Sequence, residues 1–115
     1  MHFKLIIALV QDELTDKVIQ SARDAGATGS TVINQARGEG LEKSRTFLGL
    51  SLESQSDLIM FLVEEHLSRH ILECIEKTGG LGEKDSGIAF QIDVEDAVGV
   101  SHQISALSKR VEEKI

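Results

Sequence analysis

A chain of 115 residues with a net charge of −7 has the size of one domain, and we expect a single domain over residues 1–115. The excess of 19 acidic over 12 basic residues argues against general binding to DNA or RNA, which depends mainly on Lys and Arg. The lone Cys74 cannot form an intramolecular disulfide and the apolar run 5–10 is too short to cross a bilayer, which together predict a cytoplasmic protein.

The first half of the chain alternates strand and helix patterns. The nearly continuous apolar run from Phe3 to Val10 predicts a strand that is covered on both faces. Acidic residues at 12 and 13 open a helix that ends at Gly26. β-Branched residues predict a second strand within 28–35. Residues 37–56 are polar and without periodicity, and loops of that length in a compact domain are usually functional or disordered.

The second half repeats the alternation. It predicts a third strand over 57–63, a helix over 66–77, a glycine-rich loop over 78–87, a fourth strand over 87–94 and a short final helix within 101–115. The order is the βαββαβ pattern of the α+β ferredoxin-like fold, with a long loop between strands 2 and 3 and a C-terminal helix added. Because two strands are apolar on both faces, we expect an oligomer to cover the sheet face that has no helices.

The run Ala25-Gly26-Ala27-Thr28-Gly29-Ser30-Thr31-Val32 is followed by Ala36-Arg37-Gly38, and the run Thr78-Gly79-Gly80-Leu81-Gly82-Glu83-Lys84 leads into Gly87-Ile88-Ala89-Phe90. In this order and spacing, and with the long segment between strands 2 and 3, these motifs resemble the PII signal-transduction family, also called nitrogen regulatory protein P-II. The first motif is similar to the family's second-strand entry, the second to its phosphate-binding B-loop and the strand that follows, and the long segment to its T-loop. The resemblance implies a homotrimer that binds an adenine nucleotide (AMP, ADP or ATP) between subunits.

Carried over by residue, the resemblance implies two groups of ligand contacts. The base and sugar would lie beside Gly29, Ser30 and Thr31. The backbone amides of Gly79, Gly82 and Gly87 would approach the phosphates. The nearby cation would be Lys84 or Lys77. The chain lacks the two arginines that the family usually carries after the fourth strand, and Glu83 and Asp85 add negative charge. We therefore expect AMP or ADP to bind at least as well as ATP.

The resemblance also assigns a role to the long loop. Residues 38–55 are expected to be mobile and to dock a partner, either a membrane transporter or a metabolic enzyme. The residues expected to contact the partner are Arg37, Gly38, Lys43, Arg45 and Phe47.

Other interpretations of the same residues stay open. No catalytic motif is present, so the sequence predicts no enzyme and no catalytic residue. His66, His70 and Cys74 follow at i, i+4 and i+8, a spacing that suits zinc or copper, but no fourth ligand is evident and no metal is expected. The glycine-rich motif can also be only a helix C-cap and turn. The alternative function is a metal-binding or structural trimer related in fold to the divalent-cation tolerance proteins, with nucleotide binding lost.

Overall fold

The computed structural model describes residues 1–36, 46–47, 50–51, 56–83 and 87–114. Their α+β elements, with a 3₁₀ turn at Asp12–Leu14 before the first helix, are β1 (Phe3–Gln11), α1 (Thr15–Ala25), β2 (Thr31–Ala36), β3 (Thr46–Phe47), β4 (Leu50–Ser51), β5 (Ser56–Glu64), α2 (Glu65–Gly79), β6 (Gly87–Val94) and α3 (Ser101–Lys114). None of the helices in these ranges is long and apolar enough to cross a membrane.

The four long strands form one antiparallel sheet in the order β2-β5-β1-β6. β1 and β5 occupy the centre, whereas β2 and β6 are the two edges. α1 connects β1 to β2 across β5, and α2 connects β5 to β6 across β1. The chain therefore reaches both edges of the sheet. This is the split βαβ arrangement of the ferredoxin-like fold, and it confirms the predicted fold class.

One face of the sheet is covered by α1 and α2. The even-numbered residues of β1 point to this face, where Ile6, Ala8 and Val10 are fully buried. Burying such side chains removes apolar surface from water at about 25 cal/mol per Å², which is the main term that holds the helices to the sheet. The other buried residues of this layer include Val18, Ala22, Ile59, Phe61, Val63, Leu67, Ile71 and Ile75.

The opposite face of the sheet, here called the open face, is also apolar. The register places on it Leu5, Ile7 and Leu9 of β1, Leu58, Met60 and Leu62 of β5, and Ile88, Phe90 and Ile92 of β6. α3 approaches one end of this face, where Gln103 lies beside Met60 and Leu62, and its Leu107 is buried in the hydrophobic core. Elsewhere apolar side chains reach the surface: Ile33 is 50% exposed and Ile92 is 48% exposed. Among the described residues, α1 and α2 cover one face of the sheet, whereas the open face is covered only in part.

The ends of α2 differ from the prediction. The helix begins at Glu65, because the Glu64 carboxylate accepts a hydrogen bond from the His66 backbone N–H at 2.8 Å and so caps the first turn. It ends at Gly79, two residues beyond the predicted Lys77. Thr78 and Gly79 are therefore helical, and the prediction that placed them in a loop was wrong.

β2 contains one extra residue relative to β5. Ile33 lies opposite Leu58, but Ala36 lies opposite Ser56, so three steps along β2 correspond to two along β5. Gln35 takes up the difference in a left-handed conformation with φ 60°. A bulge of this kind bends an edge strand and changes the direction in which the chain leaves the sheet.

Part of the predicted long loop is described. Thr46 pairs with Ser51 and Phe47 with Leu50 to form a two-residue antiparallel ladder, which the absence of sequence periodicity did not predict. Ser56 already belongs to β5. The rest of the segment, including Arg37, Gly38, Lys43 and Arg45, lies outside the described residues, and its expected mobility stays a prediction.

The close approach of Gly87 to β1 generates a stability prediction. A Cβ added at residue 87 would lie 2.1 Å from the Leu9 carbonyl oxygen, and φ there is +128°. We expect Gly87→Ala to lower the free energy of unfolding by about 2–5 kcal/mol, as measured by urea denaturation. Gly82→Ala is the matched control, since nothing lies within 4 Å of its added Cβ, and it should stay within about 0.5 kcal/mol of the parent. Equal stability of the two variants would contradict the strand contact.

Candidate functional site

The predicted base-binding residues lie together. Gly29, Ser30 and Thr31 line one pocket of about 270 Å³ with the neighbouring Thr28. Its other lining residues are Met60 and Leu62 of the open face and Gln103 of α3. The pocket therefore combines a row of hydroxyl groups with an apolar floor and one amide side chain. These are the groups that suit a flat heterocycle with polar edges and an attached sugar.

Gly29 keeps the rim of this pocket open. A Cβ built at residue 29 meets nothing within 4 Å, and the backbone there is not in the left-handed region. No intrachain contact among the described residues therefore requires glycine at this position. The free space lies where a ligand or a neighbouring subunit can approach the backbone.

The glycine-rich motif begins with a helix stop. The Leu81 N–H donates to the Glu76 carbonyl at 3.0 Å and the Gly80 N–H to the Lys77 carbonyl at 3.4 Å, while Gly80 is left-handed with φ 62°. This pair of bonds is the Schellman motif, which satisfies the last carbonyls of a helix. The C-cap interpretation of the motif is thus correct for its first part. The Glu83 N–H also has a backbone partner, the Gly80 carbonyl at 3.1 Å.

The three glycines proposed to approach phosphate have different surroundings. Gly79 is buried at the end of α2, and a Cβ there would meet Leu81 at 3.2 Å. Gly87 is pressed against the Leu9 carbonyl. Gly82 is exposed, has open space around its Cβ position, and has an amide with no backbone partner among the described residues. Of the three, Gly82 has the geometry that best suits an approaching phosphate.

Of the two lysines expected to supply positive charge beside the phosphate, one lies among the described residues. Lys77 lies exposed in the last turn of α2, next to the loop. Lys84, the first choice from the sequence, lies outside the described residues. The assignment of all these residues to a nucleotide stays a prediction.

The two halves of the predicted site lie at opposite edges of the sheet. Gly29–Thr31 lead into the edge strand β2, whereas Gly82 precedes the other edge strand, β6. Two strands separate those edges, and neighbouring strands are about 4.8 Å apart. Three spacings therefore place the two edge strands about 14 Å apart within one chain. The sequence alone could not show this separation, since it depends on the strand order.

A buried carboxylate that the sequence analysis missed holds the base of the long loop. Asp57 is 6% exposed, and it accepts hydrogen bonds from the Thr15 hydroxyl at 2.6 Å and from the Gln35 backbone N–H at 3.3 Å. It thereby joins the start of α1 to the strand residues that flank 37–55. The sequence signal was a charged residue at the start of an otherwise apolar strand.

Two further clusters lie apart from this site. At the far end of β1, Lys4 and then His2 donate to the Asp93 carboxylate, and these hydrogen bonds lower the pKa of Asp93. At the start of α2, the His66 ring contacts the Glu64 carboxylate at 2.5 Å. His66 is therefore engaged with a capping residue and does not join His70 and Cys74.

Comparison with known proteins supports the resemblance seen in the sequence. The family model for nitrogen regulatory protein P-II matches residues 3–103. A search of curated proteins gives no match.

The solved structures that are similar to this chain include two bacterial proteins. One is a PII-like signaling protein from Thermus thermophilus, with 24% identity over 82% of this chain and 88% of its own, and a TM-score of 0.61. Another is CPII from Thiomonas intermedia bound to ADP, AMP and acetate, with 23% identity over 83% and 89% of the chains and a TM-score of 0.60. CPII bound to ADP, AMP and bicarbonate matches with 19% identity, 82% and 87% coverage and a TM-score of 0.63.

The Asp57 contacts generate a second prediction. Asp57→Ala would leave the buried Thr15 hydroxyl without its acceptor and the Gln35 amide without its carboxylate. We expect the free energy of unfolding to fall by about 1–3 kcal/mol in urea denaturation. Asp96→Ala removes an exposed carboxylate and should change it by less than about 0.5 kcal/mol. If both variants unfold at the same urea concentration, the contacts around Asp57 do not stabilise the fold.

Proposed function

Because the chain belongs to the nitrogen regulatory protein P-II family, we propose that it is a signalling protein that binds an adenine nucleotide between subunits. In this proposal nucleotide occupancy is reported to a partner through residues 38–55. The protein is a cytoplasmic homotrimer and turns over none of the nucleotide that it binds. All 115 residues form its one domain.

The observation that carries the proposal is the separation of the two half-sites. The hydroxyl-lined pocket at Gly29–Thr31 and the exposed Gly82 lie at opposite sheet edges of one chain. At about 270 Å³, the pocket is smaller than the ~300–1,000 Å³ of most complete ligand sites. A neighbouring subunit that brings its own Gly82 to this pocket would complete it.

The open face supports the trimer. It is apolar along three strands, and Phe90 and Ile92 are 39% and 48% exposed in one chain. At about 25 cal/mol per Å², covering a few hundred Å² of such surface is worth several kcal/mol. That is enough to make the separate monomer unfavourable at ordinary protein concentrations.

The structure of CPII with ADP and AMP supports an adenine nucleotide as the ligand. Glu83 is exposed beside Gly82, and its charge repels each added phosphate charge. We therefore propose that AMP or ADP binds at least as tightly as ATP.

A mixing experiment tests the site and the trimer together. Gly29→Val and Gly82→Val each fill space that the described residues leave open. Both variants should therefore fold, sediment as trimers and bind ADP at least about tenfold more weakly in calorimetry. After the two variants are unfolded together and refolded, random assembly should restore about one site in four to full affinity, because an intact site takes one half from each variant. Arg23→Val, on the helix layer, is the control and should bind normally.

The results of these experiments distinguish a nucleotide site shared between subunits from the other possibilities. No recovery in mixed trimers would show that the two glycines do not act across an interface. A stable monomer at micromolar concentration would contradict the trimer. Absence of ADP, AMP and ATP binding by the parent chain would contradict the proposed function and favour the alternative, a structural or metal-binding trimer related to the divalent-cation tolerance proteins.

The docking role of the long loop has its own test. Asp57 ties the base of residues 37–55 to α1 and to β2, so a deletion of residues 41–50 leaves those contacts in place. We expect this deletion to keep ADP affinity within about threefold and to abolish capture of a partner from native membranes or cell extract. An unchanged set of captured partners would contradict the docking role.

A further inference from the structure

The amide side chain of Gln103 has no hydrogen-bond partner in the described part of its own chain. Gln103 is the third residue of α3 and is partly buried. Another polar side chain of the same helix, Ser108, donates to the Ile104 carbonyl at 2.8 Å, but no hydrogen bond joins the Gln103 amide to a described residue. A side-chain amide has two N–H donors and a carbonyl acceptor. Gln103 therefore offers both kinds of group to a ligand.

The packing of α3 sets the position of this amide. Leu107 lies one turn further along the helix, on the same side as Gln103, and it is 1% exposed in the hydrophobic core. This anchor keeps that side of α3 turned toward the body of the molecule. Gln103 there lines the pocket of about 270 Å³ together with Met60 and Leu62. It thus shares one pocket with the hydroxyl row at 28–31.

The other side chains that line this pocket do not distinguish one purine base from another. The hydroxyl groups of Thr28, Ser30 and Thr31 can each turn to donate or to accept a hydrogen bond. Met60 and Leu62 are apolar and can pack against the face of either base. Among the described lining side chains, only that of Gln103 holds a donor and an acceptor at a fixed separation.

An amide of this kind matches one edge of adenine. That edge has the 6-amino group as donor and N7 as acceptor, so the amide carbonyl accepts from the first while the amide nitrogen donates to the second. Guanine has acceptors at both places, O6 and N7. Whichever way the amide is turned, its carbonyl then faces an acceptor, and one of the two hydrogen bonds is lost.

The shape of the ligand favours the N7 edge. The sugar of a purine nucleotide is attached to the five-membered ring, which also carries N7. If the hydroxyl row at 28–31 binds the sugar, that ring lies next to it. Because Gln103 lines the same small pocket as the hydroxyl row, the ring edge that is close to the sugar also lies close to its amide.

We propose that Gln103 is the residue through which the pocket selects adenine over guanine, by paired hydrogen bonds to the 6-amino group and N7. This inference rests on the proposed nucleotide-binding function and adds the side chain that reads the base. Phosphate contacts near Gly82 are common to ADP and GDP. They change both affinities together and leave the choice of base to Gln103.

Calorimetry with three nucleotides tests the assignment. They are ADP, GDP and 7-deaza-ADP, in which a C–H group replaces N7. The parent trimer should bind ADP at least about tenfold more tightly than GDP and at least about fivefold more tightly than 7-deaza-ADP. Gln103→Leu, a change between two good helix formers, should bring the three affinities within about threefold of one another. Gln103→Arg should bind GDP more tightly than ADP, because a guanidinium donates to both O6 and N7.

A neighbouring substitution controls for the added charge. His102 is exposed and does not line the pocket, so His102→Arg places the same charge beside residue 103 and should keep the parent's ratio of ADP to GDP affinity. Sedimentation and circular dichroism check that each variant remains a folded trimer.

Two results would overturn the assignment, and they differ from each other. If the parent binds ADP but Gln103→Leu keeps the parent's preference for ADP over GDP and over 7-deaza-ADP, the nucleotide site stands and Gln103 does not read the base. If the parent binds no adenine nucleotide, the proposed function fails and the role of Gln103 fails with it.

Discussion

The packing of α1 and α2 onto one face of the sheet is the constraint on which the rest of the molecule depends. The two helices bury Ile6, Ala8 and Val10 of the central strand, so the register of every other strand is fixed relative to that face. Because side chains alternate along a strand, the same register presents an equally apolar set on the other side. The fold of one chain thus creates a second apolar surface, which α3 approaches at one end.

Much of this architecture could be predicted from the sequence, because hydrophobic patterns report helix and strand directly. Strand and helix order followed from runs such as Phe3 to Val10, and the resemblance in the glycine-containing motifs identified the family. The details that escaped prediction depend on contacts between distant segments. The bond between Asp57 and Thr15 joins residues 42 positions apart, and nothing local in the sequence indicates it.

The glycine-rich motif shows that composition alone does not separate the roles of individual glycines. The glycines of this motif look alike in the sequence, yet each occupies a different structural environment. Gly80 ends a helix in a left-handed conformation and Gly87 allows two strands to approach, so both are required by the fold. Gly82 has no such requirement within the described chain. Only the three-dimensional environment separates the glycines that the fold needs from one that is available to a ligand.

The extra residue in β2 also determines which side of the sheet the long loop starts from. Ala36 pairs with Ser56, and Ser56 shares a side with Leu58 on the open face. In a strand without the extra residue, residue 36 would come three positions after Ile33, so its side chain would point to the opposite face, toward the helices. The bulge at Gln35 turns the side chain of Ala36 to the open face. Insertions or deletions of one residue between 33 and 36 would therefore turn Ala36 to the opposite side, whereas changes of two would preserve its side.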